Sequence, residues 1–352
     1  MAKKRILVLY TGGTFGMNER LKISNLSAEA LKERLILQVP EMTKIAHCEV
    51  EILFNVDSCQ MDSTHWFKLS ERLVSAKKDF DGAVILHGTD TLAYTASALS
   101  MLLSPTPFPV VITGAQRPLA TLRNDARTNF ISALEVAATA PKELKNRVLV
   151  VFHDEVFLGS RVRKKSALDF SAFESPRFPV LAKIGSSIHY QPIVYRLPPL
   201  KTKSEFKSLL PSLAQSDFPH VLSVELTPHF PALWFTENTL LELGAILLTL
   251  YTSGTAPTED EKFIQFLKLA KKMSTPVFAI TEREDAPAKL ATYAAGKILE
   301  KEGVLWCSDL TPEAAYVKAC FLRLLHRHEK KSEFYSYLVR NWNKPVSDEC
   351  SA

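Results

Sequence analysis

Hydroxyls, carboxylates and glycines recur together at four short stretches of this chain. They are Thr11-Gly12-Gly13-Thr14, Asp57-Ser58-Cys59, His87-Gly88-Thr89-Asp90-Thr91 and Thr113-Gly114-Ala115-Gln116. If they converge, such groups can work on a carbonyl: a hydroxyl attacks once a base takes its proton, and charged neighbours move that proton. Main-chain N–H groups in a glycine-flanked turn such as Gly88-Thr89 can face the negative charge that develops on the carbonyl oxygen. Taken singly, each stretch is ambiguous. Gly12-Gly13 reads equally well as a tight strand-to-helix turn. With Gly16 it forms neither the Gly-x-Gly-x-x-Gly of a dinucleotide site nor the Gly-Lys-Ser/Thr of a phosphate loop. His87 could be drawn into a Ser/His/Asp triad, but it precedes a glycine at a strand end and reads equally as a hydrogen-bonded structural histidine. The nine histidines offer no zinc spacing, and His326-x-His328 on a helix would send its rings to different faces. Neither a metal nor a cofactor is implied.

The elements that must position these groups can be read from periodicity. Ile6 to Tyr10, Val50 to Val56, Ala83 to His87, Val110 to Thr113 and Val148 to Phe152 are largely apolar runs, as buried parallel strands tend to be. Between them, Trp66/Leu69/Leu73, Leu92/Ala96/Leu99/Leu103 and Phe130/Leu134/Ala138 recur at helical spacing, each set forming one apolar face. Asn124 stands where an N-cap is useful, and Pro105 and Pro107 close the preceding helix. The four chemical stretches therefore fall just beyond strand ends, where ligands bind in open parallel sheets.

From Gln191 to Pro219 the chain turns Pro-rich and Lys/Ser-rich. Val221 to Leu226, Ala245 to Tyr251 and Val277 to Thr281 then resume the strand pattern in a domain that ends in a helix with Val317, Phe321, Leu324 and Leu325 on one face. The fold class expected is α/β, with a larger N-terminal domain on a mostly parallel sheet (1–190), a linker (191–219) and a smaller C-terminal α/β domain (220–352).

A net charge of +5 is modest for 352 residues, and the basic residues are interleaved with acidic ones. The short clusters Arg161 to Lys165 and His326 to Lys331 read as solvated faces, so no nucleic-acid partner is expected. Five cysteines without a Cys-x-x-Cys pair suit reduced thiols in the cytoplasm. The apolar run after Lys3-Lys4-Arg5 is too short for a signal peptide, and Gly244 to Tyr251 is too short to span a bilayer, so no membrane association is expected.

Tyr10-Thr11-Gly12-Gly13-Thr14 and Val84 to Thr91 resemble the two signature motifs of bacterial L-asparaginases, and the pair is far more specific than either one. Ala93 to Ser100, Thr113 to Leu119 and Phe170-x-x-Phe173-x-Ser175-Pro176 extend the likeness, which is strongest over residues 5 to 180 and closest to the cytoplasmic, type I branch. The resemblance implies two α/β domains, a homodimer or homotetramer with active sites completed across a dimer, and hydrolysis of L-asparagine to L-aspartate and ammonia, with side activity on glutamine. It further implies Thr14 as the nucleophile that forms a β-acyl-enzyme, supported by Thr89, Asp90 and Lys164. Lys164, rather than Lys165, is the lysine reached by counting back from Phe173-x-Ser175-Pro176. Asp90 is expected to hold the substrate's α-ammonium and Ser58 its α-carboxylate, with Asp57, Cys59, Thr89 and Ala115 completing the binding positions.

The chain also departs from the family pattern. Met17 to Leu26 lacks the tyrosine usual in the family's mobile lid, and Thr255 stands where an asparagine is frequent. Cys59 replaces a more polar neighbour of the binding serine, and Arg163 and Arg283 replace smaller residues at regulatory positions. Two alternatives therefore accompany the main reading. One is an amino-acid-binding relative of weak activity, which the missing lid tyrosine and Thr255 would favour. The other is the amidase subunit of a tRNA-dependent amidotransferase, disfavoured because the first strand begins by Arg5 and leaves no room for that subunit's extra N-terminal domain.

Overall fold

A computed structural model of the chain describes residues 3–17, 27–197, 200, 218–281, 294–307 and 309–341. It divides into two compact units, centred on Met1–Leu210 and Pro211–Pro345. Much of the expected linker lies outside the described residues, as do lid residues 18–26, Arg283 and Cys350.

The first unit runs β1 (Arg5–Gly12), α1 (Ala28–Gln38), α2 (Met42–Ile45), β2 (His47–Val56), α3 (Ser63–Ser75), β3 (Gly82–Leu86), α4 (Leu92–Leu103), β4 (Val110–Thr113), α5 (Ala126–Thr139) and β5 (Val148–Phe152). Short strands follow: β6 (Glu155–Leu158), β7 (Arg163–Lys164), β8 (Phe173–Glu174), β9 (Ala182–Ile184) and β10 (Ile188–Tyr190). Among the described residues an eight-stranded sheet has the order β10-β9-β6-β5-β4-β3-β1-β2. Its β5-β4-β3-β1-β2 part is parallel, and β6, β9 and β10 extend it antiparallel. The apolar runs predicted as strands are these parallel strands. Strands β6 to β10 are too short, or too mixed in polarity, for periodicity to reveal.

Residues of β1, β3, β4 and β5 are almost wholly buried because helices cover both faces of a parallel sheet. Trp66, Leu69 and Leu73 form the buried face of α3, whose start is fixed by Asp62 accepting from the N–H groups of Thr64 and His65. The spacing of Leu92, Ala96, Leu99 and Leu103 predicts one apolar face for α4. Every residue of that helix except Tyr94 is buried instead. Ala93, Ser97, Ala98 and Ser100 are small enough to let other elements press on its remaining sides, and Gly159 packs directly against Ser100 Oγ. At α5 the cap is shared: Asp125 occupies the N-cap position, but the side chain accepting from Arg127 N is that of Asn124 (3.2 Å).

The second unit comprises β11 (Val221–Glu225), α6 (Glu237–Glu242), β12 (Ala245–Leu250), α7 (Glu261–Lys272), β13 (Val277–Thr281), α8 (Ala294–Lys301), β14 (Leu305–Trp306), α9 (Pro312–Leu325) and α10 (Lys331–Asn341). Among the described residues its four strands are parallel in sequential order. An aromatic cluster of Phe230, Phe235, Phe263 and Phe266 fills one side of the sheet, with ring centroids 4.5 to 6.0 Å apart. The unit does not end at the helix bearing Val317 and Phe321. Helix α10 follows it, with Phe334 and Leu338 buried one turn apart.

Leu99 is fully buried at the centre of α4. Leu99→Ala is expected to cost about 2–5 kcal/mol, read as a lower urea midpoint with an unchanged denaturant slope.

Candidate active site

The strand order sets the site. From β1 the chain goes out to β2 on one side, then returns past β1 to β3 and β4 on the other. The direction of winding reverses between β1 and β3, and at such a switch point the loops leave a crevice beyond the carboxyl ends. The register aligns those ends as neighbours: Leu86 with Thr113, Tyr10 with Leu86, and Gly12 with Val56. All four chemical stretches thus emerge along one edge.

Close backbone contact then brings the loops together. Gly12 and Gly13 adopt φ of 111° and 80°, in the region that disfavours side chains. A Cβ on Gly13 would stand 2.4 Å from Gly88 Cα, and one on Gly88 would stand 2.7 Å from Ser58 Oγ. Glycine is thus required where the first and third loops touch. Gly13 N donates to Val56 O (3.2 Å), Thr11 Oγ1 to Leu86 O (3.1 Å) and Thr91 Oγ1 to Ser58 O (2.7 Å). Thr14 follows directly, opening the single turn Thr14–Gly16. That turn is anchored by Phe15, whose buried ring meets Phe130 edge-on at 5.9 Å.

Lys164 arrives from the far side of the unit. Its Nζ donates to Thr89 Oγ1 at 2.8 Å and to Asp90 Oδ1 at 2.7 Å. Thr89 is buried, Lys164 mostly so, and Asp90 is 65% exposed. Lys164 pairs with Phe173 across β7 and β8, and the buried Phe173 ring packs on Phe152 at 4.8 Å, which fixes the strand. Side chains alternate along a strand, so Lys165 turns outward and is exposed.

Two residues without a predicted role hold this arrangement. The buried Asp125 carboxylate accepts from Gln116 N (2.9 Å), Arg117 N (3.0 Å) and Asn129 Nδ2 (3.1 Å), pinning the loop after β4. Gln116 Nε2 in turn donates to Ser166 O (3.3 Å) and Asp169 O (3.2 Å), in the turn that follows Lys164. An aspartate at a helix start reads as an ordinary cap, so nothing local in the sequence marks it as a loop clamp.

His87 is fully buried and bonded at both ring nitrogens. Nδ1 lies 2.7 Å from Gly88 O and Nε2 3.0 Å from Thr95 Oγ1, and that hydroxyl also accepts from Trp66 Nε1 (3.0 Å). The carbonyl can only accept, so Nδ1–H donates to Gly88. Full burial disfavours a second ring proton and pushes the pKa down to about 4, so the ring is neutral and Nε2 accepts from Thr95. With Nε2 occupied by Thr95, His87 serves as a structural histidine.

The family model described as "Asparaginase, N-terminal" matches residues 5–194. Across 326 residues the chain is 34% identical to L-asparaginase 1 of Escherichia coli (strain K12), covering 92% of each chain. The crystal structure of L-asparaginase I from Vibrio cholerae superposes with a TM-score of 0.80 at 30% identity, covering 100% of both chains. The thermostable L-asparaginase of Thermococcus kodakarensis gives the same TM-score, 0.80, at 27% identity and 99% coverage of each.

The chain belongs to the asparaginase family. Its α/β architecture, a large mostly parallel sheet and a separate smaller parallel one, is that of the solved asparaginases.

Within this asparaginase-family unit, Thr89, Asp90 and Lys164 are joined by direct hydrogen bonds, and Ser58 is packed beneath Gly88. Asp57 is turned back on its own loop and accepts from Cys59 N (3.1 Å). Cys59 is exposed, and the hydrogen bond and charge of Asp57 hold its thiol above the ordinary range. The methyl of Ala115 belongs to the buried core, so this residue has main-chain groups to offer a ligand. In the second unit Thr255 Oγ1 lies 3.1 Å from Ser253 Oγ.

The depressed pKa of His87 has a signed consequence. Below pH 6.5 the unfolded imidazole takes up a proton that the folded one refuses, so stability is complete above about 6.5 and falls as pH drops towards 4. The full loss is on the order of 3 kcal/mol. His87→Gln, which cannot titrate, is expected to flatten this part of the pH–stability curve measured by urea unfolding. A variant retaining the wild-type slope would assign it to other groups.

Proposed function

We propose that this chain hydrolyses L-asparagine to L-aspartate and ammonia, through an acyl intermediate on Thr14. The observation that carries the reading is the single amine of Lys164 bonded at once to Thr89 Oγ1 (2.8 Å) and Asp90 Oδ1 (2.7 Å). An aliphatic hydroxyl is a weak nucleophile at neutral pH and needs a positioned route for its proton. Thr89, held by Lys164 beside Asp90, is the group that supplies it: its oxygen takes the Thr14 proton as its own O–H proton moves on towards the departing nitrogen.

In this reading Thr14 Oγ1 attacks the side-chain amide carbon, and its proton passes to the departing nitrogen, which leaves as ammonia. Water then attacks the Thr14 ester and releases the carboxylic acid. Thr89 accepts from Lys164, so its own O–H is free to donate. The Gly88-Thr89 main chain faces the oxyanion. Asp90 holds the α-ammonium and Ser58 the α-carboxylate, a charge pairing that fits an amino acid. Asp57, Cys59 and the main chain of Ala115 complete the binding surface, and glutamine is turned over as a side activity.

We further infer a cytoplasmic homo-oligomer, a dimer or a tetramer. Leu122 and Leu168 support this reading, because both are strongly exposed on the loops that Asp125 and Gln116 tie beside the site, where a partner subunit would cover them. Cys48, Cys59, Cys307 and Cys320 are all free thiols, as a reducing compartment favours. No helix among the described residues is long and apolar enough to cross a membrane.

Thr14→Ala, Thr89→Val and Lys164→Met are each expected to lower kcat for ammonia release from L-asparagine by about 10²- to 10⁴-fold. Far-UV circular dichroism should stay unchanged. Wild-type protein that releases no ammonia at neutral and mildly alkaline pH, or a Thr14→Ala variant as active as wild type, would remove the proposal.

A further inference from the structure

The cluster His326 to Lys331 reads in the sequence as a solvated basic face. In the second unit it lines a cleft of about 430 Å³, within the range of small-molecule sites. The cleft lies at the amino ends of β11 and β12, beside the last turns of α6 and α9 and the first of α10. His220, Arg323, Arg327, His328 and Lys331 face it, against one carboxylate, Glu242.

Glu329 attracts Arg323 only at a distance. Among the described residues none of Arg323, Arg327 and Lys331 forms an ion pair. The neighbouring carboxylates are engaged elsewhere: Glu329 bonds His326 Nδ1 (2.7 Å) and Glu333 accepts from Lys330 N (3.3 Å). Lys331 Nζ is fixed by three carbonyls at the end of α6, those of Leu240 (2.8 Å), Leu241 (2.6 Å) and Leu243 (2.9 Å). Arg323 is held by His326 O (3.0 Å) and by the Phe334 ring, 5.1 Å from its guanidinium carbon. Its stem packs against Gly244, where a Cβ would stand 3.3 Å from Arg323 Cγ. Arg327 Nε donates to His328 Nε2 (3.1 Å), which orients the guanidinium and leaves its terminal nitrogens without a protein partner among the described residues.

Anchoring of this kind fixes the cations before any ligand arrives, and it has an energetic cost. Burial depresses the pKa of both Arg323 and Lys331, and Arg323 further depresses Lys331 by like-charge repulsion. A bound anion would offset both effects. A planar guanidinium with free terminal N–H groups matches phosphate oxygens in pairs. The positive groups are gathered in one cleft rather than along an extended track, which fits a small molecule and not a nucleic acid.

We propose that this cleft binds a phosphate group, with the terminal guanidinium nitrogens of Arg327 and Nη2 of Arg323 as its ligands and Lys331 as a fixed neighbouring charge. The phosphate is either the free ion or that of a small ester.

The test is titration calorimetry of the full chain with inorganic phosphate and with glycerol 3-phosphate, against sodium chloride at matched ionic strength. Saturable binding of at least one phosphate species is expected, weakened at least tenfold in Arg327→Gln. The ammonia-release assay and thermal midpoint in chloride should be unchanged in that variant. Tighter binding of glycerol 3-phosphate would identify the ester as the ligand class, and tighter binding of phosphate the free ion. Heats indistinguishable from chloride, or wild-type affinity in Arg327→Gln, would overturn the proposal. Neither result bears on asparagine turnover.

Discussion

The backbones of Gly13 and Gly88 approach so closely that a Cβ on the first would stand 2.4 Å from the Cα of the second, and the rest of the site is arranged around that contact. It joins loops from strands that neighbour each other in the sheet but lie some seventy-five residues apart in the chain. It also places Ser58 under Gly88 and starts the Thr14 turn from a fixed point. A side chain at either glycine would push the loops apart by more than such a crevice can absorb. The positive φ of Gly12 and Gly13 belongs to the same constraint, since the chain must turn sharply to leave β1 and meet the third loop.

Around this contact the unit uses buried hydrogen bonds to hold reactive groups in register. Trp66, Thr95 and His87 form a relay ending on the Gly88 carbonyl, and Asp125 ties the fourth loop to helix α5. Buried polar groups of this kind are costly when half satisfied and rigid when fully satisfied. In both sets each group named has a partner. The groups nearest the chemistry are less enclosed: Asp90 is largely exposed although Thr89 is buried, so a substrate can reach the carboxylate without opening the core.

The second unit applies electrostatics differently. Lys331 closes the carbonyl end of α6, and Arg323 that of α9, which complements the negative ends of the helix dipoles. Satisfying two helix ends at one place gathers more positive charge than the local carboxylates balance. The cleft owes its character to that surplus.

Much of the fold was legible in the sequence. Buried parallel strands are continuous apolar runs, and β4, β5 and β13 span the predicted residues, while the other parallel strands differ from the predicted runs at their ends. The paired threonine motifs and the glycines were also readable, because residue type at a strand end carries chemical meaning even without neighbours, whereas Lys164 came only with the family resemblance. Tertiary structure alone decided what each residue touches. Strands β6 to β10 are too short for a period to emerge, and α4 is buried all round because of what packs on it, which its own spacing does not encode. Asp125 as a loop clamp, His87 as a neutral link and the basic run at 326–331 as the wall of a cleft all depend on partners distant in sequence or on how the chain turns back. Type and spacing fix what a side chain can do, whereas burial and partners, which come only with the fold, fix what it does.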